Sequence, residues 1–315
     1  MLEFAIFADY NEVDMKTRDI IIVGPTASGK SGFADNLARK IGGVIINCDS
    51  VQIYRGIENI SASPFAERTD DIATEMLDGV PYKLFSVLDL STQQSVSDYL
   101  ELAREAYDWA HKSGRPAIFV GGTGYYANAL LHGISQMPDI SDDARTRARE
   151  LVARDIESAR KMLPANFYAT DPQRVARALE VFFETGTHIT EYQQTQRTGG
   201  VLPADTLKIL INPDADVLRK RIAARIPEML SGGAMDEARA IIKNNWNPTR
   251  AIGAVQLVDY LNGKITKEDA IQNWITKTNQ YAKRQRTWFR TQFTADVVID
   301  HVPNDTDIEN IIQNI

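Results

Sequence analysis

Residues Gly24-Pro25-Thr26-Ala27-Ser28-Gly29-Lys30-Ser31 spell G-x-x-x-x-G-K-[ST], a phosphate-binding loop. The apolar run Ile20-Ile21-Ile22-Val23 precedes it, and a helix-like segment, Ser31 to Ile41, follows. That strand–loop–helix context is what the motif requires. Its glycines let backbone N–H groups turn inward around phosphate oxygens, and the helix N-terminus adds partial positive charge. Gly24, Thr26, Ala27, Ser28, Gly29, Lys30 and Ser31 are therefore expected to hold a phosphorylated ligand. Lys30 would neutralise the outer phosphate, and the Ser31 hydroxyl would help hold Mg²⁺.

The loop also commits the chain to a fold class. Further apolar runs occur at Val44–Asn47, Ala117–Val120, Leu207–Ile211 and Val297–Ile299, and helical patterning such as Val96 to Ser113 separates the first of them. Strands alternating with helices predict an α/β core like that of P-loop NTPases, a parallel sheet flanked by helices. Ligands in such sheets sit at the carboxyl ends of the strands, so the loops at Gly24, Cys48-Asp49-Ser50 and Gly121-Gly122-Thr123 should converge. From Pro138 to Pro203 strand-like runs vanish, and helical segments Ser141 to Leu163 and Pro172 to Thr185 replace them. Ser141-Asp142-Asp143 reads as a helix start and Gly199-Gly200 with Pro203 as an exit. The expected organisation is a core of residues 19–137 and 204–315 interrupted by an all-helical insertion, 138–203. Asp214 to Asn244 reads as helical, broken at Gly232-Gly233.

Residues 1–18 form an N-terminal extension expected to be disordered. Met1 to Asp14 is acidic and has too short an apolar core for a secretory signal, and Met15 is a candidate start of the folded unit. No apolar stretch is long enough to span a membrane. One cysteine, Cys48, rules out an internal disulfide and a zinc cluster, and the four histidines are scattered. Any metal should therefore be Mg²⁺ held mostly by phosphate, in a cytoplasmic enzyme.

Net charge is −7, which argues against a generic nucleic-acid binder. Between Asp269 and Asp296, however, there is no acidic residue, while Lys277, Lys283, Arg284, Arg286 and Arg290 alternate with Trp274, Tyr281, Trp288 and Phe289. An amphipathic helix with a solvated basic face is one reading of this stretch. A surface for phosphates, of RNA or of a diphosphate ligand, is the other.

A phosphate loop alone leaves kinases, hydrolysing NTPases, GTPase switches and some transferases open. Hydrolysing NTPases usually end a second strand in an Asp that supports the metal and water attack. Here Ala117–Val120 runs into Gly-Gly-Thr, and no Asn-Lys-x-Asp segment occurs, which disfavours GTPases and motor-type ATPases. Asp49, after a strand, is either a partner of Mg²⁺ or Lys30, or a general base that deprotonates an acceptor beside the phosphates.

Five segments together are more specific. Gly24–Ser31, Asp49-Ser50-Val51-Gln52-Ile53-Tyr54-Arg55, Gly121-Gly122-Thr123-Gly124-Tyr125-Tyr126, Asp171-Pro172-Gln173-Arg174-Val175-Ala176-Arg177-Ala178-Leu179-Glu180-Val181 and Ala282-Lys283-Arg284-Gln285-Arg286-Thr287-Trp288-Phe289-Arg290 resemble, in order, motifs of the tRNA dimethylallyltransferase (isopentenyltransferase) family. They cover the chain from Asp19 to Arg290, and without cysteines for a zinc-finger tail the resemblance is to the bacterial form. It implies transfer of a dimethylallyl group from dimethylallyl diphosphate to the exocyclic amine of an adenosine beside the tRNA anticodon.

By the same resemblance Asp49 is the general base, Thr123 lies close to the adenosine and the donor phosphates, and Arg225 meets the diphosphate. Arg221 and Arg225, at i and i+4, share one helix face. The insertion grips the anticodon stem-loop, with Arg145, Gln173, Arg174 and Arg177 on the RNA. Asp49, Ser50, Val51, Gln52, Thr123, Gly253, Lys283 and Arg284 complete the implied tRNA contacts. For Arg174 and Arg177, local salt bridges such as Arg177 with Glu180 are the alternative use. The resemblance further implies a monomer, with no zinc and no membrane. The chain departs from the family at Ile60-Ser61-Ala62-Ser63-Pro64, where the family has Gly-Thr-Ala-Lys-Pro, and at Tyr82-Lys83-Leu84, where it has His-His-Leu. Ala254 stands where an aromatic is common.

Other readings keep the same loop. An adenylate isopentenyltransferase would use a free nucleotide. A nucleotide or small-molecule kinase would consume ATP under an Arg-bearing lid, and a non-enzymatic RNA-binding protein would carry a decayed loop.

Overall fold

The structure, a computed structural model, describes residues 18–66, 76–313 and 315; the expectations for residues 1–17 lie outside them. The chain separates into two compact units, residues 1–131 with 201–315, and residues 132–200.

In the larger unit, β1 (Ile20–Val23) leads through the phosphate loop into α1 (Lys30–Ile41), followed by β2 (Val44–Asn47) and the short α2 (Glu58–Ser61). Next come β3 (Met76–Leu77), β4 (Val80–Lys83), α3 (Val96–Lys112), β5 (Ala117–Gly121) and α4 (Gly124–His132). The smaller unit contributes β6 (Ile134–Ser135), α5 (Asp142–Arg154), α6 (Ile156–Lys161), α7 (Pro172–Thr185), α8 (Ile189–Tyr192) and β7 (Arg197–Thr198). The chain then returns through β8 (Leu207–Ile211), α9 (Ala215–Met229), a π-helical turn (Leu230–Ala234), α10 (Met235–Lys243), α11 (Ala254–Leu261), α12 (Lys267–Gln292), β9 (Val297–Ile299) and α13 (Asp305–Ile312).

Seven strands form one sheet in the order β3-β4-β2-β5-β1-β8-β9. All neighbours are parallel except β3 and β4. The five strands read from the sequence are all present. The alternation of a strand divides their side chains between two faces. Ile20 and Ile22 pack with Ile118, Ile209, Phe33 and Leu37 of α1, and Ile308 and Ile311 of α13. Ile21, Val23, Ile46 and Phe119 are equally buried on the other face, where Tyr99 of α3 donates to the Asn47 carbonyl at 2.9 Å. Burial on both faces is why these strands read as unbroken apolar runs.

Because β2, β5 and β1 are adjacent and parallel, their carboxyl ends share one edge of the sheet. The strand ends approach so closely that a Cβ on Gly24 would collide with the Ile211 carbonyl, and one on Gly121 with the Cys48 carbonyl. The expected break at Gly232-Gly233 is a kink, with φ +126° at Gly233, between helical stretches.

Within the smaller unit, α5, α6 and α7 enclose Ala148, Val152, Ala159, Val175 and Leu179. The helix expected from Ser141 to Leu163 is two helices. Asp155 leaves helical geometry and accepts from the Glu157 and Ser158 amides, capping α6. Ser141 caps α5, and Asp171 caps α7 ahead of Pro172. β6 and β7 pair antiparallel and close the unit at its chain ends.

Candidate active site

The loops after β1 and β2, the C-terminal end of α2 and the helices α9 and α12 surround a cavity of about 710 Å³, which Thr123 of the β5 loop does not line. Thr26 to Ser31, Asp49 to Gln52, Arg225 and Arg284 all line it. On the phosphate-loop side, Gly29 takes φ +95° ahead of α1, a conformation that favours glycine. Val302 and Pro303, between β9 and α13, lie against Gly29 from behind, within 3.6 Å of where its Cβ would stand. Lys30 Nζ donates to the Pro25 carbonyl at 3.2 Å. Arg225 Nη2 donates to Thr26 Oγ1 at 2.8 Å, and Arg221 Nε to the Ala27 carbonyl at 2.8 Å. Both arginines of the α9 pair thus reach the loop, Arg225 half-buried and Arg221 exposed.

The electrostatics of this half call for an anion. Burial lowers the Lys30 pKa to about 8, against the pull of Asp49 and aided by Arg225. The Arg225 guanidinium is likewise held below its ordinary value, by burial first and then by Arg221. Ser28 Oγ and Arg225 Nε are buried without any partner. Buried polar atoms are nearly always satisfied, so these two, with the equally unpartnered Arg250 Nε and Thr278 Oγ1 of the same lining, leave hydrogen-bonding capacity for a ligand.

The opposite half is built on β2 and β5. Asn47 locks the turn that carries Asp49: its Oδ1 accepts from the Asp49 amide at 2.9 Å, and its Nδ2 donates to the Asp49 and Leu84 carbonyls. Asp49 Oδ1 accepts from the Val51 amide at 3.0 Å, and Oδ2 faces Gly122, 3.3 Å from where a Cβ would stand. Thr123 Oγ1 accepts from the Ser50 amide at 2.9 Å and donates to Ser50 Oγ at 3.1 Å. Its hydroxyl therefore ties the β5 loop to the β2 loop instead of capping α4. Gln52 Nε2 donates to the Ser61 and Ala62 carbonyls. That contact uses the segment where the chain departs from Gly-Thr-Ala-Lys-Pro, and it needs only backbone.

A divalent cation fits this donor set in one way. Ser31 and Asp49 bring hard oxygen atoms to the same cavity, while no group of three or more His, Cys, Asp or Glu comes together among the described residues. Such a cation would be held chiefly by ligand phosphate and water.

The remaining expected residues lie elsewhere. Gly24 is buried at the end of β1. Gly253 is buried under the Trp274 indole, which a Cβ there would strike, so close packing alone accounts for the glycine. Lys283 is exposed and lines grooves on other faces of α12. In the smaller unit Gln173 is exposed, and each arginine has a carboxylate near it: Arg145 with Asp142 at 3.7 Å, Arg174 with Asp171 at 3.5 Å, Arg177 with Glu180 at 3.2 Å. The first two are exposed helix pairs worth about 0.3–0.5 kcal/mol each, whereas Arg177 meets a buried Glu180 that Arg149 also contacts.

Sequence reasoning assigned no role to Gln285 and Tyr281. Gln285 is 5% exposed; its Oε1 accepts from the Thr26 amide at 2.8 Å and its Nε2 donates to the Gly122 carbonyl at 2.8 Å. Tyr281, one turn earlier, lines the cavity, and its phenol is raised well above its ordinary pKa by burial and then by Asp49. The available signal was an uncharged Gln inside a basic, aromatic run.

Comparison with known proteins agrees with this geometry. The family model described as IPP transferase matches residues 52–292, and one described as isopentenyl transferase matches residues 18–81. The tRNA dimethylallyltransferase of Methylocella silvestris is 38% identical over 87% of this chain and 91% of its own length. That of Agrobacterium fabrum is 36% identical over 90% and 97%. Among solved structures, the tRNA isopentenylpyrophosphate transferase of Bacillus halodurans is 30% identical with a TM-score of 0.65, covering 95% of each chain. A eukaryotic dimethylallyltransferase described as acting on tRNA is 26% identical with a TM-score of 0.72, over 95% of this chain and 79% of that one. The strand order, the phosphate loop facing Asp49 across one cavity, and these matches agree: the chain belongs to the IPP transferase family.

Proposed function

We propose that this protein transfers a dimethylallyl group from dimethylallyl diphosphate to the exocyclic amine of the adenosine adjacent to the anticodon of a tRNA, releasing diphosphate. The observation that carries the reading is the division of one cavity into a cationic half and a carboxylate half. The donor's diphosphate lies on the loop amides, Lys30, Arg221 and Arg225, and takes up the unpartnered Ser28 Oγ and Arg225 Nε. Asp49 and Thr123 meet the adenosine.

The amine is a weak nucleophile because its lone pair is delocalised into the ring. As its nitrogen bonds to the allylic carbon, the carbon–oxygen bond breaks and that electron pair leaves with the diphosphate. Asp49 accepts the amine proton through Oδ2, which the turn leaves facing Gly122. Fixed cations and N–H groups stabilise the charge growing on the leaving oxygen. Mg²⁺, held by Ser31 and the phosphates, would supply further charge neutralisation. No water is activated, which accounts for Gly-Gly-Thr where a hydrolase carries an Asp.

The adenosine has to leave its stack to enter the cavity. The unit of residues 132–200 holds the anticodon stem-loop through Arg145, Gln173, Arg174 and Arg177, and Lys283 and Arg284 add contacts from α12. Every group assigned to the chemistry comes from one chain, so a monomer working beside cytoplasmic tRNA suffices.

The test is mass spectrometry of nucleosides from unmodified tRNA incubated with the protein, Mg²⁺ and dimethylallyl diphosphate, with AMP in parallel. A dimethylallyl increment on tRNA adenosine alone is expected. Labelling of AMP instead would make the acceptor a free nucleotide, and labelling of neither would reject the reading.

A further inference from the structure

We infer that Gln285 is a positioning residue that fixes the donor-binding loop against the acceptor-binding loop, and that it sets the rate of transfer rather than the affinity for either substrate. The inference rests on the proposed function and assigns a role to a side chain that reaches neither reacting group.

Both polar ends of this buried amide are committed to loops distant in sequence. Oε1 accepts from the Thr26 amide, whose residue also receives Arg225 on its hydroxyl. Nε2 donates to the Gly122 carbonyl, one residue from Thr123 and beside Asp49 Oδ2. The two partners fix the amide's orientation, because a backbone N–H requires the oxygen and a carbonyl requires the NH₂ group. The approach is so close that a Cβ on Gly122 would strike Nε2. A residue serving the core alone would be apolar here. This one uses both ends of its amide to set the distance between phosphate cradle and carboxylate. A displacement of about 1 Å between reacting groups costs on the order of a hundredfold in rate.

Two substitutions and two kinds of measurement test this. Gln285→Leu keeps the bulk and removes both bonds. Its kcat should fall about a hundredfold, while the dissociation constants for tRNA and for inorganic diphosphate, measured separately, change less than about threefold. Gln285→Glu can still accept from Thr26, but an ionised carboxylate cannot donate to Gly122 and repels its carbonyl. Protonated, it donates again. The rate of Gln285→Glu relative to wild type should therefore climb as pH is lowered, whereas the Gln285→Leu ratio stays flat. A kcat for Gln285→Leu within about threefold of wild type overturns the inference. So does a drop in kcat matched by equal drops in both affinities, or a flat Gln285→Glu ratio.

Amide hydrogen exchange reads the clamp without chemistry. Inorganic diphosphate should protect the loop Gly24–Ser31 and also the segment Gly121–Thr123 in wild type, but only the loop in Gln285→Leu. Identical protection in the two proteins overturns the inference. A wild-type protein that alkylates no tRNA would instead overturn the proposed function, and the exchange result would still decide the clamp.

Discussion

Replacing Arg225 by alanine isolates the leaving-group side of the reaction. In the free protein Nη2 is satisfied by Thr26 Oγ1, whereas Nε is buried and unpartnered. A diphosphate oxygen on Nε adds one charge-assisted hydrogen bond, about 1.5–3 kcal/mol or roughly ten- to 150-fold. Charge on that oxygen grows as the carbon–oxygen bond breaks and is complete in the product. The same factor should therefore appear in kcat/KM for the donor and in the dissociation constant of inorganic diphosphate. Lys30 offsets part of the deficit. Arg225 is one of the influences that hold the Lys30 pKa down, so removing it makes the ammonium more fully charged. That places the expected effect in the lower half of the range. Folded stability should not fall, because a guanidinium buried beside Arg221 costs desolvation and repulsion in the empty protein. Donor titrations at saturating tRNA, calorimetry with inorganic diphosphate and a melting curve give the three quantities. A lower kcat/KM with unchanged diphosphate affinity would refute the argument, leaving Arg225 to act only through Thr26.

Other expectations follow from the same cavity. With Lys30 near pKa 8 in the free protein and restored toward its ordinary value by a bound anion, donor affinity should weaken by up to about tenfold per pH unit above about pH 8. Because the folded state binds fewer protons than the unfolded one in that window, the free protein should gain stability as affinity falls, and a flat affinity profile would count against Lys30 as the phosphate partner. Asp49→Ala should reduce transfer at least about a hundredfold and leave tRNA binding nearly intact in filter assays, and normal turnover would remove it as the base. Arg174→Gln with Arg177→Gln should lower the salt slope of tRNA binding by about 0.7–0.9 for each phosphate that an arginine no longer neutralises. Glu180 keeps Arg149 at 3.3 Å, so the fold should survive, and an unchanged slope would show that neither arginine meets phosphate.

The strands that hold the site were legible because each is buried on both faces and leaves an uninterrupted apolar run between turn signals. The β3–β4 hairpin was not, since β3 is an edge strand of two residues and Val80-Pro81-Tyr82-Lys83 carries a proline. The helix start at Ser141 was readable from capping chemistry. The stop at Asp155 was hidden because neither Gly nor Pro interrupts the helical pattern there, although Asp itself favours a cap over a helix interior. In the site, the phosphate loop and Asp49 announce themselves locally, since strand, turn and helix N-terminus are contiguous. Gln285 and Arg225 act on Thr26 from 259 and 199 residues away, and no local pattern records such pairings. The Tyr82 departure also finds its reason only in three dimensions: its hydroxyl donates to Asp35 of α1 at 2.8 Å.

The phosphate loop lies near the start of the chain, yet its walls come from the far end: Ile211 behind Gly24, Arg221 and Arg225 on its rim, Gln285 on Thr26, and Val302 with Pro303 behind Gly29. During synthesis the motif therefore emerges from the ribosome long before the surfaces that complete it. A nascent chain thus carries the whole consensus before Arg221, Arg225, Gln285, Val302 and Pro303, the residues that complete the cradle, have been added.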